Sequence, residues 1–120
     1  MSDLTVVEIK AFVPARDFEL SKRFYVDLGF ELAWSDENLA YLRHGEASFL
    51  LQNFRAPADN FMMHMLVKDV DAWWRRVQAQ DLVGKYGVMA QPPEDRPWGM
   101  RDFVLTDPTS VLWRIGQNKP

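Results

Sequence analysis

Hydrophobic and polar residues alternate over residues 6–13. Val7, Ile9, Ala11 and Val13 fall on one face, and Val6, Glu8, Lys10 and Phe12 on the other. A period of two predicts a strand, which the Pro14–Arg16 stretch ends. The period then lengthens. Leu20, Phe24 and Leu28 recur at every fourth position, which predicts an amphipathic helix. Asp17 is suited to cap its first turn and Gly29 to close its last. Phe30, Leu32 and Trp34 alternate with Glu31, Ala33 and Ser35, predicting a second strand whose apolar face is either core or cup. Residues 39–44 and 47–53 read as two more strands, separated by a Gly45-Glu46 turn.

Residues 54–60 contain Pro57 and show no period, so they read as a linker. The pattern then restarts. Residues 61–67 form an apolar strand. Asp69 can cap a helix whose one face carries Val70, Trp73, Trp74 and Val77. Residues 85–90 make a weaker strand, and residues 91–99 a loop with three prolines. Strands over 100–106 and 111–117 flank an Asp107-Pro108-Thr109-Ser110 turn. The order strand, helix, three strands thus occurs twice. The expected fold class is α+β: two βαβββ modules forming a cupped mixed sheet, with helices on the outer face. The whole of 1–120 is one domain, with module one at about 1–54 and module two at about 61–120. One helix covers only one face of a four-stranded sheet. The uncovered faces must pair, within the chain or between chains, and a homodimer is expected.

Composition narrows the function classes. The chain has 120 residues, 48% of them hydrophobic and 13% aromatic. A chain of this size buries about two-thirds of its unfolded surface, so the core needs no covalent staple. The absence of cysteine excludes a disulfide scaffold, a thiolate metal site and a cysteine nucleophile. Net charge is -3 and the pI about 5.3, with 14 basic residues scattered among 17 acidic ones. Nucleic-acid binding needs clustered Lys and Arg, and Arg75-Arg76 is the densest basic pair, so nucleic acid is not expected as a partner. No apolar run approaches the roughly 20 residues that span a bilayer. The start lacks the basic-then-apolar pattern of a secretory signal. A cytoplasmic protein with no membrane partner is expected. No Gly-rich phosphate loop, nucleophile elbow or Ser-His-Asp spacing occurs.

Asp17, Ser21, Phe24-Tyr25 and Leu28-Gly29-Phe30 resemble the D-x-x-x-S-x-x-F-Y-x-x-L-G-F signature of the vicinal oxygen chelate superfamily, which includes glyoxalases, bleomycin resistance proteins and dioxygenases. Val67-Lys68-Asp69-Val70-Asp71-Ala72 is similar to its second-half signature. Pro97-Trp98-Gly99-Met100-Arg101-Asp102-Phe103, followed by Asp107-Pro108, resembles the bleomycin-resistance branch, although the usual glycine of the following turn is missing. The resemblance implies paired βαβββ modules, usually in a homodimer with clefts between modules. In the enzymes of the superfamily, four cup-facing slots hold one divalent ion. Here the slots fall on Glu8, on Leu50 or Gln52, on Met62 and on Arg114. Glu8 and Gln52 carry suitable oxygens. A thioether suits copper(I) rather than magnesium, manganese or zinc, and a guanidinium repels a cation. His64 shares a strand face with Met62 and is a partial substitute. No metal and no cofactor are expected.

The expected function is metal-independent binding or sequestration of a small, partly aromatic molecule in a cleft between modules, as in antibiotic resistance of the bleomycin type. The candidate ligand-binding residues are Glu8, Phe12, Trp34, Gln52, Met62, His64, Leu66, Trp98 and Arg114. They combine apolar walls with a few convergent polar groups, the usual make-up of a ligand site. Arg114 and Glu8 are expected to pair or to present opposite charges to the ligand. Trp98 lies in a loop, where an indole is seldom needed for folding. The alternative is a metal-dependent glyoxalase- or dioxygenase-type lyase, oxygenase or transferase. It requires Glu8, Gln52 and His64 to converge, with Glu8 or His64 as the acid–base group.

Overall fold

The helix signals are realised at both caps. In the computed structural model, which describes residues 2–55 and 58–120, the Asp17 carboxylate accepts from the Leu20 amide at 3.2 Å and opens helix α1 (Phe18–Leu28). Gly29 closes α1 at φ 134°, its amide donating to Tyr25 and Val26. A side chain there would be strained, and its Cβ would meet the Trp73 indole at 3.3 Å. Asp69 caps helix α2 (Val70–Ala79) in the same way, accepting from the Ala72 amide.

The first sheet contains β1 (Phe12–Ala15), β2 (Glu31–Ser35), β3 (Leu39–His44) and β4 (Ala47–Asn53), in the order β1-β4-β3-β2. The second contains β5 (Met62–Leu66), β6 (Ala90–Asp95), β7 (Met100–Thr106) and β8 (Leu112–Asn118), in the order β5-β8-β7-β6. The outer pairs β1·β4 and β5·β8 are parallel and the rest antiparallel. The two sheets therefore repeat one topology, as the doubled pattern predicts. Within the expected linker, Ala56 and Pro57 lie outside the described residues, while Ala58 is buried.

Three local expectations change. The strand predicted over 6–13 begins only at Phe12 and runs on through Pro14 to Ala15, on a sheet edge where the missing proline N–H is tolerated. Residues 2–11 form an arm without regular structure, and Leu4 and Ile9 are 88% and 87% exposed. Glu8 and Lys10 of this arm reach Tyr41 of the first sheet, while its apolar Leu4, Val7 and Ile9 stay exposed. Residues 82–86 form a short helix, α3 (Leu82–Tyr86), where part of a strand was expected. The strand moves forward into the proline-containing stretch as β6, again an edge, with its register broken between Gln91 and Glu94 around Pro92-Pro93.

The inner faces of both sheets and the helices share one core. Phe49 of β4, Tyr25 of α1 and Trp113 of β8 meet with ring centroids 4.9–5.6 Å apart. This cluster closes on a buried polar group. The Tyr25 hydroxyl donates to Asp107 Oδ2 at 2.5 Å and accepts from Trp113 Nε1 at 2.8 Å. Asp107 Oδ1 accepts from the Thr109 and Val111 amides, and Thr109 Oγ1 accepts from the Arg16 amide of the first module. Tyr25→Phe leaves the buried indole N–H without an acceptor. It should cost on the order of 1–3 kcal/mol, measured by urea unfolding.

Burial pushes the Asp107 carboxyl above its ordinary value of 3.8, outweighing the hydrogen bonds from Tyr25 and from the Val111, Thr109 and Ser110 amides. The native state therefore holds this proton more tightly than the unfolded chain does. The group's contribution to stability is complete below pH 3.8 and is lost as pH rises through the raised native value. In Asp107→Asn that part of the pH dependence should disappear. Urea unfolding of both proteins across this range checks it, and parallel pH profiles would contradict it.

Candidate functional site

With the inner faces committed to the core, the side chains available for binding stand on the two outer faces. On the first sheet, Phe12, Leu50, Tyr41 and Trp34 line up across β1, β4, β3 and β2. Gln52 lies one row away, between Pro14 and Leu39. Trp34 reaches this face because of a β-bulge. Leu32 pairs with the buried Leu42, whereas Trp34 pairs with outward-facing Tyr41, so the face changes between them. Leu50 and Gln52 both occupy the outer face, one row apart.

Glu8 lies over the same face. Its carboxylate accepts from Ser48 Oγ at 3.1 Å and from the Tyr41 hydroxyl at 3.2–3.3 Å, and it pairs with Lys10. The Lys10 ammonium holds the Glu8 carboxyl below its ordinary value, with the Ser48 and Tyr41 hydroxyls adding to the effect. These partners are local, so Glu8 is a neutralised polar group on a largely apolar face.

The second outer face has three rows. Met62, Leu112 and Thr106 form one; His64, Arg114, Val104 and Gln91 the next; Leu66, Gly116, Asp102 and Glu94 the third. Met62 and Leu66 are more than half exposed. Asp102 is wholly buried. Arg114 Nη1 donates to both its oxygens at 3.1–3.2 Å, and Arg96 Nε donates to Oδ1 at 2.8 Å. Arg96 also holds Glu94 at 3.0 Å. The carboxylate fits because Gly116 faces it: a Cβ at that position would come within 2.8 Å of Asp102 Cβ and 3.2 Å of the Arg101 carbonyl.

The expected Arg114–Glu8 pair does not form, because each has a nearer partner on its own sheet. The missed residue is Asp102. A lone acid in the apolar strand MRDFVLT, alternating with Val104, was the available signal, since a buried carboxylate requires cations. Arg96 also opens the β6–β7 turn that carries Trp98, which is 61% exposed. One carboxylate thus fixes Arg114 and anchors the Trp98 turn. Glu94 and Asp95 of that stretch are exposed and ion-paired, with Arg96, and with Arg101 and Lys119, respectively.

The nine candidates therefore divide. Glu8, Phe12, Trp34 and Gln52 belong to the first sheet's outer face. Met62, His64, Leu66 and Arg114 belong to the second, with Trp98 in the turn beside it. Glu8 and Gln52 do not meet His64 on a common sheet. Among the described residues no three His, Asp or Glu side chains converge as a cation site would need. With a guanidinium at the fourth slot, the donors of one chain do not fit a divalent ion. Within the chain, a groove of about 520 Å³ does run between the modules, lined by His44, Met65, Leu66 and Trp73 among others. Of the candidates, only Leu66 reaches it. His44 is exposed, stacks edge-on against Trp73 at 5.0 Å and contacts the Gly29 carbonyl through Nδ1.

Residues 6–115 match the Glyoxalase/Bleomycin resistance protein/Dioxygenase superfamily. The chain belongs to this superfamily. A bleomycin resistance protein of Klebsiella pneumoniae is 28% identical over 115 residues, 89% of each chain. The crystal structure of a bleomycin-binding protein complexed with bleomycin superposes at TM-score 0.80 with 24% identity, covering 93% of this chain and 98% of that one. A bleomycin-binding protein of Streptomyces verticillus, in complex with copper(II)-bleomycin, matches at TM-score 0.73 and 25% identity, covering 97% and 99%. The superfamily's repeated module is therefore the unit visible in both halves of this chain. No helix among the described residues is long and apolar enough to cross a membrane.

The close approach at Gly116 makes a specific demand. Gly116→Ala should cost about 1–3 kcal/mol through forced displacement of Asp102. A shift in the urea midpoint measures this, and wild-type stability would show that the carboxylate is not confined by this strand.

Proposed function

We propose that this chain binds a small, partly aromatic molecule in the cytoplasm, without a metal ion, as a homodimer. The first outer face of each protomer then meets the second outer face of its partner, and the cleft lies between them. The observation that carries this reading is the pair of bare outer faces. Each combines apolar side chains with a few polar groups, the composition of a small-molecule site, and Phe12, Trp34, Met62 and Leu66 on them are more than half exposed. The exposed arm supports the dimer: Leu4, Val6, Val7 and Ile9 all stand open to solvent, and clustered exposed apolar side chains mark an interface. The bleomycin resistance protein of Klebsiella pneumoniae and the copper(II)-bleomycin complex point to a glycopeptide-like or planar antibiotic, and to sequestration as its consequence.

In sedimentation at micromolar concentration the protein should run as a dimer, and removing residues 2–9 should shift it toward monomer. A full-length monomer would remove the basis for the shared cleft.

Metal-free bleomycin and planar aromatic compounds should quench tryptophan fluorescence on titration, equally well in the presence of a chelator. Trp98→Ala should weaken binding about tenfold, through lost stacking and area burial, with little loss of stability. Trp98→Phe serves as the optical control, since four other indoles contribute to the signal. Equal affinity for wild type and Trp98→Ala would exclude this indole from the site.

A further inference from the structure

We infer that the cleft proposed above selects ligands carrying a carboxylate, and that Arg114 receives it. The inference rests on the small-molecule-binding reading and adds the chemical class. Arg114 commits only Nη1 to Asp102. Its Nε and Nη2 have no acceptor among the described residues, and about a third of its side chain is exposed. The remaining donors are held in place, because Asp102 is wholly buried and Gly116 leaves room for it. A guanidinium fixed in this way loses little conformational freedom on forming a further pair.

Directional donors rather than net charge favour an anion here. Two guanidiniums share the Asp102 carboxylate, and the only other acid bonded in the cluster is Glu94, which takes Arg96 rather than Arg114. The four charges cancel, and what is left over is the pair of unused donors on Arg114. Its neighbours there are apolar or neutral: Val104 and Leu112 on the adjoining positions, with Met62 and Leu66 on β5. His64 stands directly across from Arg114 in register and adds a ring N–H donor in reach of the same edge of the sheet. An apolar surface with one clamped guanidinium matches an aromatic ring bearing a carboxylate. Two parallel N–H···O bonds, which only a guanidinium offers, suit that group.

The test uses matched pairs that differ only in charge: naphthoate against naphthamide, titrated into the full-length dimer at two salt concentrations. The acid should bind about tenfold or more tightly than the amide, the usual scale for a charge-assisted pair. Arg114→Gln should bring the acid-to-amide affinity ratio to about one, read on folded protein because loss of a cation from buried Asp102 also lowers the urea midpoint. Arg114→Lys should restore it only in part, because an ammonium lacks the fork. Equal affinity for acid and amide in wild type would overturn the inference and leave the small-molecule reading standing. Binding of neither naphthoate, naphthamide nor bleomycin would overturn both. A preference that survives Arg114→Gln would place the carboxylate elsewhere.

Discussion

Everything outside the core follows from one buried carboxylate. Asp107 sits at the β7–β8 turn of the second module and takes the hydroxyl of Tyr25 from the helix of the first, while Trp113 donates to the same hydroxyl. Burying a carboxylate is costly unless it is hydrogen-bonded, and here the donors come from both halves of the chain. The modules are thereby joined through their inner faces and helices. That junction decides what remains: two outer faces turned away from the shared core, each with its own row of candidates.

The second module repeats the device for a different end. Asp102 is as buried as any core residue, yet it faces outward along β7 and draws in Arg114 and Arg96. Where Asp107 fastens the two modules together, Asp102 sets the position of a guanidinium and of the turn that carries Trp98. The same chemistry gives a fastening in the core and a rigid polar point on the surface. The difference lies in the partners: hydroxyl and backbone donors in one case, cations with spare donors in the other.

Local signals made much of this readable. The two longer helices were legible because period and cap coincide at Asp17 and Asp69, and β3, β4 and β7 because alternation is bounded by turns. The rest depended on contacts that alternation cannot encode. Residues 6–11 carry a strand pattern with no partner strand in the same chain. Trp34 changes face because of a bulge after Leu32, which parity counted from Phe30 misses. Pro92-Pro93 suggested a loop, but an edge strand tolerates them. The candidates themselves were legible by residue type and face. Their division between two sheets, and the pairing of Arg114 with Asp102 in place of Glu8, required the three-dimensional register.

The central claim is that a binding site is completed only by two copies of the chain. Mixed dimers test it most directly. Leu50→Arg obstructs the first outer face and Leu66→Arg the second, and neither residue belongs to the buried core. Each homodimer should bind no ligand, while sedimentation confirms that it still assembles. Co-expressed heterodimers should regain one site per dimer, since one of their two clefts then combines two unobstructed faces. Half-stoichiometric binding by the heterodimer is the predicted result. Full binding by either single variant, or none by the heterodimer, would contradict it.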